Sequence, residues 1–176
     1  PLLMAVYKLS PALVTGNAIV LKPAPTTPVS ALILGQIIAN IVPKGLVSII
    51  VDNNDLGPVL TTHPDIAKIS FTGSTPTGKA IIKSAADTMK RLTLELGGND
   101  AAIVLDDVDP KVIAPAIFGS AFINSGQVCI ALKRLYVHEA VYDELCDEIA
   151  TLAKSAVVGN GMEKGIQFGP VQNKAQ

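Results

Sequence analysis

Apolar residues near the start of the chain recur at steps of three and four residues, which is the spacing of one face of a helix. The residues of this stripe are Leu2, Leu3, Val6, Leu9 and Leu13. Gly16 comes just after the stripe, where glycine is common because it adopts a positive φ at little cost. The pattern predicts an amphipathic helix that ends in a turn at residues 15–17.

Short apolar runs alternate with helical stretches along the rest of the chain. Strands are predicted at residues 18–21, 46–51, 66–71, 91–96, 101–105 and 134–137. Helices are predicted at residues 27–41, 55–63, 74–86 and 109–122, followed by a last helix with an apolar face from Val141 to Leu152. Thr27 and Pro28 are the predicted N-cap and first residue of the second helix. This alternation favours parallel βαβ units with helices on both faces of a sheet, so the predicted fold class is α/β.

A double glycine, Gly97 followed by Gly98, separates the fourth predicted strand from the fifth. A second series of strands and helices begins after it. We therefore expect two partial domains, residues 1–98 and residues 99–176.

Hydrophobic residues make up 49% of the 176 residues and charged residues only 16%, so parts of the surface are expected to face other protein. The formal net charge is −1, and no basic stripe is present that would attract nucleic acid or an anionic membrane. The apolar run at residues 46–51 is far too short to cross a bilayer. Neither nucleic acid nor a membrane is predicted as a partner.

The two cysteines, Cys129 and Cys146, cannot form a disulfide framework, and with His63 and His138 they lack the clustered spacing of a zinc site. We expect no metal and a reducing, cytoplasmic compartment. Cys146 lies beside the apolar face of the last predicted helix, where a structural role is favoured.

Cys129 follows the polar turn Asn-Ser-Gly-Gln-Val, which places it within reach of a substrate, and it is the candidate nucleophile. The alternative is a small buried hydrophobe, as many free cysteines are. Glu95 is a lone carboxylate at the end of an apolar strand, where burial is costly without a function or a partner. An ion pair with Lys90 or Arg91 is the structural alternative for Glu95.

The segment at residues 71–78 joins a predicted strand to a predicted helix, and backbone N–H groups at a helix N-terminus bind phosphates. Residues 73–79 also match the first seven positions of the P-loop pattern GxxxxGK[ST]. The next position is Ala80, which lacks the hydroxyl that holds Mg²⁺ in a P-loop. An anion site is therefore favoured over a nucleoside triphosphatase, and a helix capped by Ser74 without a ligand is the other alternative.

Five sequence landmarks together resemble the aldehyde dehydrogenase superfamily. LELGG at residues 94–98 precedes GQVC at residues 126–129, and the others are KLSPALVTGNAIVLKPAPTTP, ISFTGSTPTGKAI and GPVQNKAQ, in the family's order. The resemblance covers essentially the whole chain. It implies a Rossmann-like parallel sheet followed by the start of a second α/β domain, the catalytic one. We expect an internal piece of a longer protein that is inactive and poorly soluble by itself.

For catalysis, the resemblance implies that Cys129 attacks an aldehyde carbonyl and that Glu95 activates the water that hydrolyses the resulting thioester. A thiol is intrinsically nucleophilic, and apolar surroundings make a carboxylate more basic. Members that pass the acyl group to coenzyme A or phosphate commonly lack this glutamate, so its presence favours an acid-forming enzyme. Both side chains are then expected to converge on one cavity.

The resemblance also implies an NAD(P) site, to which it assigns Lys22, Thr72, Gly73, Ser74 and Leu96. Lys22 matches a lysine at the adenosine ribose, and Ser74 matches a serine near the pyrophosphate. Thr72 and Gly73 match residues near the nicotinamide. Many NAD-using members carry a glutamate where this chain has Pro25, so we expect NAD to be preferred and NADP to be tolerated.

The resulting hypothesis is an NAD(P)-dependent oxidoreductase that converts a small-molecule aldehyde to a carboxylic acid and, at full length, forms a homodimer or homotetramer. The first alternative is a non-catalytic nucleotide-binding or structural relative of the same fold. A P-loop nucleoside triphosphatase is the less favoured alternative.

Overall fold

Six short strands form three parallel pairs in the computed structural model, which describes residues 1–176. A helix connects the two strands of each pair, so the chain contains three βαβ units. The chain divides into two units, Pro1–Leu96 and Gly97–Gln176, which carry two strand pairs and one strand pair respectively. The predicted α/β class is confirmed, with small parallel pairs of strands.

The first unit begins with the predicted amphipathic helix and its glycine turn, where Gly16 has a φ of 76°. Its core is formed by buried Ala5 and Leu9 of the first helix, together with Leu21 and Ala31. Its elements are α1 (Leu2–Val14), β1 (Ile19–Leu21), α2 (Val29–Ile38), β2 (Val47–Ile49), α3 (Leu56–Thr62), β3 (Lys68–Thr72), α4 (Thr75–Ala85) and β4 (Arg91–Glu95).

The predicted bounds of the second helix, residues 27–41, were wrong at both ends. Thr27 lies in a turn in which its N–H donates to Ala24 O, and it caps nothing. At the other end, the N–H of Ile41 donates to Ile38 O, so the last turn tightens to a three-residue spacing. Ile41 is consequently 75% exposed instead of continuing the buried face.

The second unit contains β5 (Asp100–Val104), α5 (Pro110–Phe122), β6 (Leu132–Val137) and α6 (Glu139–Ser155). Val104, Ala114 and Leu145 form its buried core, so both helices pack their apolar faces against the strand pair. Asp109 caps α5 by accepting the N–H of Lys111 at 2.9 Å. No helix in either unit combines the length and the apolar character that crossing a membrane requires.

Candidate active site

The first group of predicted site residues lies at the carboxyl end of the β3–β4 pair. Thr72 and Glu95 are register partners on the two strands, and the Gly73 N–H donates to Glu95 O at 3.0 Å. Lys8 of α1 reaches the same edge, where its Nζ donates to Thr72 Oγ1 at 2.8 Å. Burial lowers the pKa of Lys8, and the charge of the Glu95 carboxylate opposes this shift. The edge therefore carries one ammonium and one carboxylate close enough to interact.

Glu95 is exposed, which corrects the expectation of a carboxylate enclosed in apolar surroundings. The alternating side chains of β4 explain this, because Leu94 and Leu96 are the half-buried residues on either side of it. The structural alternative of an ion pair also fails. Lys90 donates to the backbone carbonyls of His63 and Ile66 instead, and the ion pairs of the chain do not include Glu95.

The N-terminus of α4 is built as the sequence predicts. Ser74 Oγ accepts the Thr77 N–H at 3.3 Å, and residues 73–77 are exposed. Gly78, one turn into the helix, is buried against Leu96, whose Cδ2 would lie 2.8 Å from a Cβ at position 78. Leu96 thus packs against the first turn of the helix. The N-terminus of the helix is exposed, so the positive end of its dipole is accessible to an anion.

Lys22, the remaining predicted cofactor ligand, follows β1 directly and forms an ion pair with Asp52. Its Nζ donates to Asp52 Oδ1 at 2.9 Å. The Asp52 side chain is fully buried, whereas 21% of the Lys22 side chain is exposed. Asp52 Oδ2 accepts the Leu56 N–H at 3.1 Å, at the start of α3. The hydrogen bond from Lys22 holds the pKa of Asp52 below its ordinary value of 3.8, although burial opposes this shift.

The lowered pKa makes Asp52 a determinant of acid stability. Its contribution to folding is present above pH 3.8 and is lost as the pH falls through the lowered pKa of the folded protein. We expect the melting temperature of the full-length protein to fall less steeply below about pH 4 in Asp52→Asn than in the unaltered protein. Asp55→Asn, an exposed change in the same loop, is the control and should keep the original slope. Identical slopes in all three proteins would contradict this role.

The segment before Cys129 contains three consecutive residues with a left-handed backbone. Asn124, Ser125 and Gly126 have φ angles of 51°, 57° and 75°. Glycine adopts this conformation freely, but each non-glycine residue in it costs about 1–3 kcal/mol. Such a conformation persists only where the surrounding structure holds it.

Hydrogen bonds from the end of the chain hold this segment. Ser125 Oγ donates to Gly169 O at 2.9 Å, and the Gln172 N–H donates to Gln127 Oε1 at 2.7 Å. The amide of Gln127 in turn donates to Asn124 O at 3.1 Å. The side chains of Ser125 and Gln127 therefore stabilise the backbone conformation of the cysteine turn.

Cys129 itself lies in an exposed turn just before β6. Lys133 Nζ donates to the carbonyl oxygens of Val128, Cys129 and Ala131 at 3.2, 3.0 and 2.8 Å. The backbone N–H of Cys129 makes no hydrogen bond within the chain. The turn thus presents a thiol and an available N–H donor together, beside a lysine ammonium.

The second glycine of LELGG, Gly98, lies against the cysteine turn, whereas a Cβ at Gly97 would meet no atom within 4 Å. A Cβ at Gly98 would lie 2.9 Å from Cys129 O and 2.5 Å from Asp100 Oδ1. Backbone at this position therefore passes the cysteine turn at a distance that only glycine allows.

Cys146, for which a structural role was favoured, is also exposed. It lies on α6 next to Leu145, which faces the core. The interpretation of either cysteine as a buried hydrophobe is wrong, and exposure does not distinguish the two thiols.

Three residues of the site were missed by sequence reasoning, namely Lys8, Asp52 and Lys133. Each acts through a partner that the local pattern does not reveal. A weak signal existed for Lys8, which is the one charged residue in the apolar stretch of α1. No comparable signal marks Asp52 within its polar loop.

The chain is similar to known proteins over its whole length. The model of the aldehyde dehydrogenase family matches residues 1–176. An aldehyde dehydrogenase of a Fusarium species is 45% identical over 172 residues, which cover 98% of this chain and 36% of the relative. The phenylacetaldehyde dehydrogenase of Pseudomonas fluorescens is 43% identical over 176 residues, which cover 99% of this chain and 35% of the relative.

Solved structures give the same result. A variant of aldehyde dehydrogenase C from Pseudomonas syringae, crystallised with NAD⁺ and octanal, superposes with a TM-score of 0.95 at 34% identity. The superposition covers 99% of this chain and 36% of that protein. The chain therefore spans a little over a third of the length of the relatives that it matches.

Proposed function

Because the chain belongs to the aldehyde dehydrogenase family, we propose that it supplies the nucleophile and the base of an NAD(P)-dependent enzyme that oxidises an aldehyde to a carboxylic acid. The observation that carries the proposal is the cysteine turn, whose backbone is held by hydrogen bonds of the Ser125 and Gln127 side chains. Cys129 is exposed there with its own unpaired N–H, shortly after the left-handed segment 124–126, which a hydrogen bond from Ser125 to Gly169 helps to hold.

The thiolate form of Cys129 attacks the aldehyde carbon, and the carbonyl oxygen, which becomes negatively charged, accepts a hydrogen bond from the Cys129 N–H. A single donor of this kind contributes about 10²–10³ to turnover. NAD(P)⁺, held by the residues assigned to it, would supply the acceptor for the hydride that leaves the thiohemiacetal carbon. Cys129 is then left as a thioester.

Hydrolysis of the thioester requires a base, and we assign that role to Glu95. Its carboxylate is exposed to solvent at the end of β4, so a water molecule can reach it. Lys8 lies at the same edge, where the charge of this carboxylate acts on the pKa of its ammonium. Water attacks the acyl carbon as Glu95 takes its proton, and the carboxylic acid leaves as the thiolate of Cys129 is restored.

The residues assigned to NAD(P) fit a phosphate-bearing nucleotide. Beside Gly73, whose own N–H donates to Glu95 O, the exposed N-terminus of α4 offers the backbone N–H groups of Ser74 and Thr75 and the positive end of a helix dipole. Lys22 keeps part of its side chain exposed at the carboxyl end of β1, and this is the edge at which α/β folds bind ligands. Within this proposal, Thr72 and Leu96 shape the same edge, and NAD is the preferred cofactor.

The proposal extends to the organisation of the protein. Residues 1–98 belong to the nucleotide-binding domain and residues 99–176 to the catalytic domain, and the protein is a cytoplasmic homodimer or homotetramer. The relatives named for phenylacetaldehyde and crystallised with octanal suggest a substrate panel of aromatic and aliphatic aldehydes.

Thiol labelling of the full-length protein that carries this sequence tests the proposal directly. Since Cys129 and Cys146 are both exposed, access alone predicts equal rates. We expect iodoacetamide to modify Cys129 several-fold faster than Cys146, because the cysteine turn presents a nucleophilic thiol. Prior incubation with an aldehyde and NAD⁺ should protect Cys129 and leave Cys146 unchanged, as followed by peptide mass spectrometry. Equal rates without protection would favour the non-catalytic relative.

A further inference from the structure

The Lys22–Asp52 ion pair lies where β1 and β2 end, at the edge where ligands of parallel α/β folds bind. The exposed part of the pair is the lysine, while the carboxylate is enclosed behind it, with side-chain exposures of 21% and 0%. A ligand at this edge therefore meets Lys22 and not Asp52.

Asp52 is fixed on both of its oxygens. Oδ1 accepts from Lys22 at 2.9 Å, and Oδ2 accepts from the Leu56 N–H at 3.1 Å. Its pKa lies below 3.8 because of the hydrogen bond from Lys22, so the carboxylate is ionised at neutral pH. The ammonium and the carboxylate together form a neutral pair that cannot easily rearrange.

A lysine in a neutral pair treats two kinds of ligand differently. An ammonium has three N–H donors. Asp52 Oδ1 accepts one at 2.9 Å and Pro23 O accepts a second at 3.5 Å, so Lys22 keeps one N–H for a neutral hydroxyl. Its attraction for a phosphate group is weaker, because a negative charge at 2.9 Å offsets the positive one.

We propose that Asp52 is a specificity-determining residue that favours a nucleotide with a free ribose 2′-hydroxyl over one with a 2′-phosphate. The inference rests on the proposed function, in which Lys22 binds the adenosine ribose. Selection between NAD and NADP then depends on the buried carboxylate in the loop after β2, and not on position 25, where Pro25 carries no charge.

Equilibrium binding of NADH and NADPH to the full-length protein, measured by nucleotide fluorescence at one fixed ionic strength, tests this role without relying on turnover. Asp52→Asn should lower the ratio of the NADPH Kd to the NADH Kd by about tenfold, since it frees the charge of Lys22. Asp55→Asn removes the same charge from an exposed position in the same loop and should leave the ratio unchanged. Combining Asp52→Asn with Lys22→Met should abolish the gain in NADPH affinity.

Asp52→Ser is the second variant, because its hydroxyl can still accept the Leu56 N–H if the asparagine disturbs α3. An unchanged ratio in folded Asp52→Asn or Asp52→Ser, or an equal change in Asp55→Asn, would overturn the proposal. Failure of both Asp52 variants to fold would assign Asp52 to stability alone and would also overturn it. If the unaltered protein binds neither nucleotide and oxidises no aldehyde, the proposed function itself fails, which is a separate outcome.

Discussion

Replacing Cys129 with serine should reduce aldehyde oxidation by the full-length protein by about 10⁴-fold or more, which is the scale of loss when the nucleophile of a covalent enzyme is removed. Serine keeps the size of the side chain but is a far weaker nucleophile than a thiol at neutral pH. The measurement is kcat/KM for reduction of NAD⁺ with an aldehyde from the aromatic and aliphatic panel.

Two controls separate chemistry from folding in this experiment. Cys146→Ser alters the other exposed thiol and should leave kcat/KM within about twofold of the unaltered enzyme. Cys129→Ser should retain the affinity for NADH, because Lys22 and Ser74 lie on the other unit of the chain. Activity that persists in Cys129→Ser, or that disappears in Cys146→Ser, would contradict the assignment of the nucleophile.

Local patterns were sufficient for most of the fold. The helix at the start of the chain and the cap at Ser74 depend on contacts within a few residues, so periodicity and capping rules locate them. The end of α2 was missed because Ile41 continues the apolar pattern while the backbone has already tightened into a turn. Tertiary context, not propensity, decides such an end.

The identities of the proposed site residues came from motifs, but their surroundings did not. Glu95 was expected to be enclosed, since it stands between two leucines, yet alternation along β4 turns it to the exposed side. Asp52 and Lys8 have partners 30 and 64 residues away, Lys22 and Thr72 respectively, so no local pattern connects them. Contacts between residues so far apart in the sequence can be identified only from the structure.

The polar side chains of the cysteine turn stabilise one specific backbone conformation. Ser125 and Gln127 would be ordinary loop residues in the sequence, but their side chains hold a backbone that two non-glycine residues adopt only at a cost. Lys133 adds three hydrogen bonds to carbonyl groups around the thiol. In the proposed mechanism, these polar residues hold the backbone that carries the Cys129 N–H, the donor assigned to the developing oxyanion.

Replacing Glu95 with glutamine should slow steady-state turnover by about 10²–10⁴-fold, the range for loss of a general base. The amide keeps the shape of the side chain but cannot accept the proton of the attacking water. In the proposed mechanism, acylation of Cys129 does not require this base, so NADH should still form rapidly in the first turnover. The acyl group should then remain on Cys129, and intact-protein mass spectrometry should detect the added mass.

The pattern of rates makes this last prediction specific to deacylation. Glu163→Gln removes a carboxylate from an exposed position outside the helices and strands and should leave both the first turnover and the steady state unchanged. Loss of the rapid first turnover in Glu95→Gln would place the glutamate before the thioester, as a base for the thiol. An unchanged steady state would remove it from the mechanism. Only a rapid first turnover followed by slow release supports Glu95 as the base that activates water, because that combination isolates the hydrolytic step.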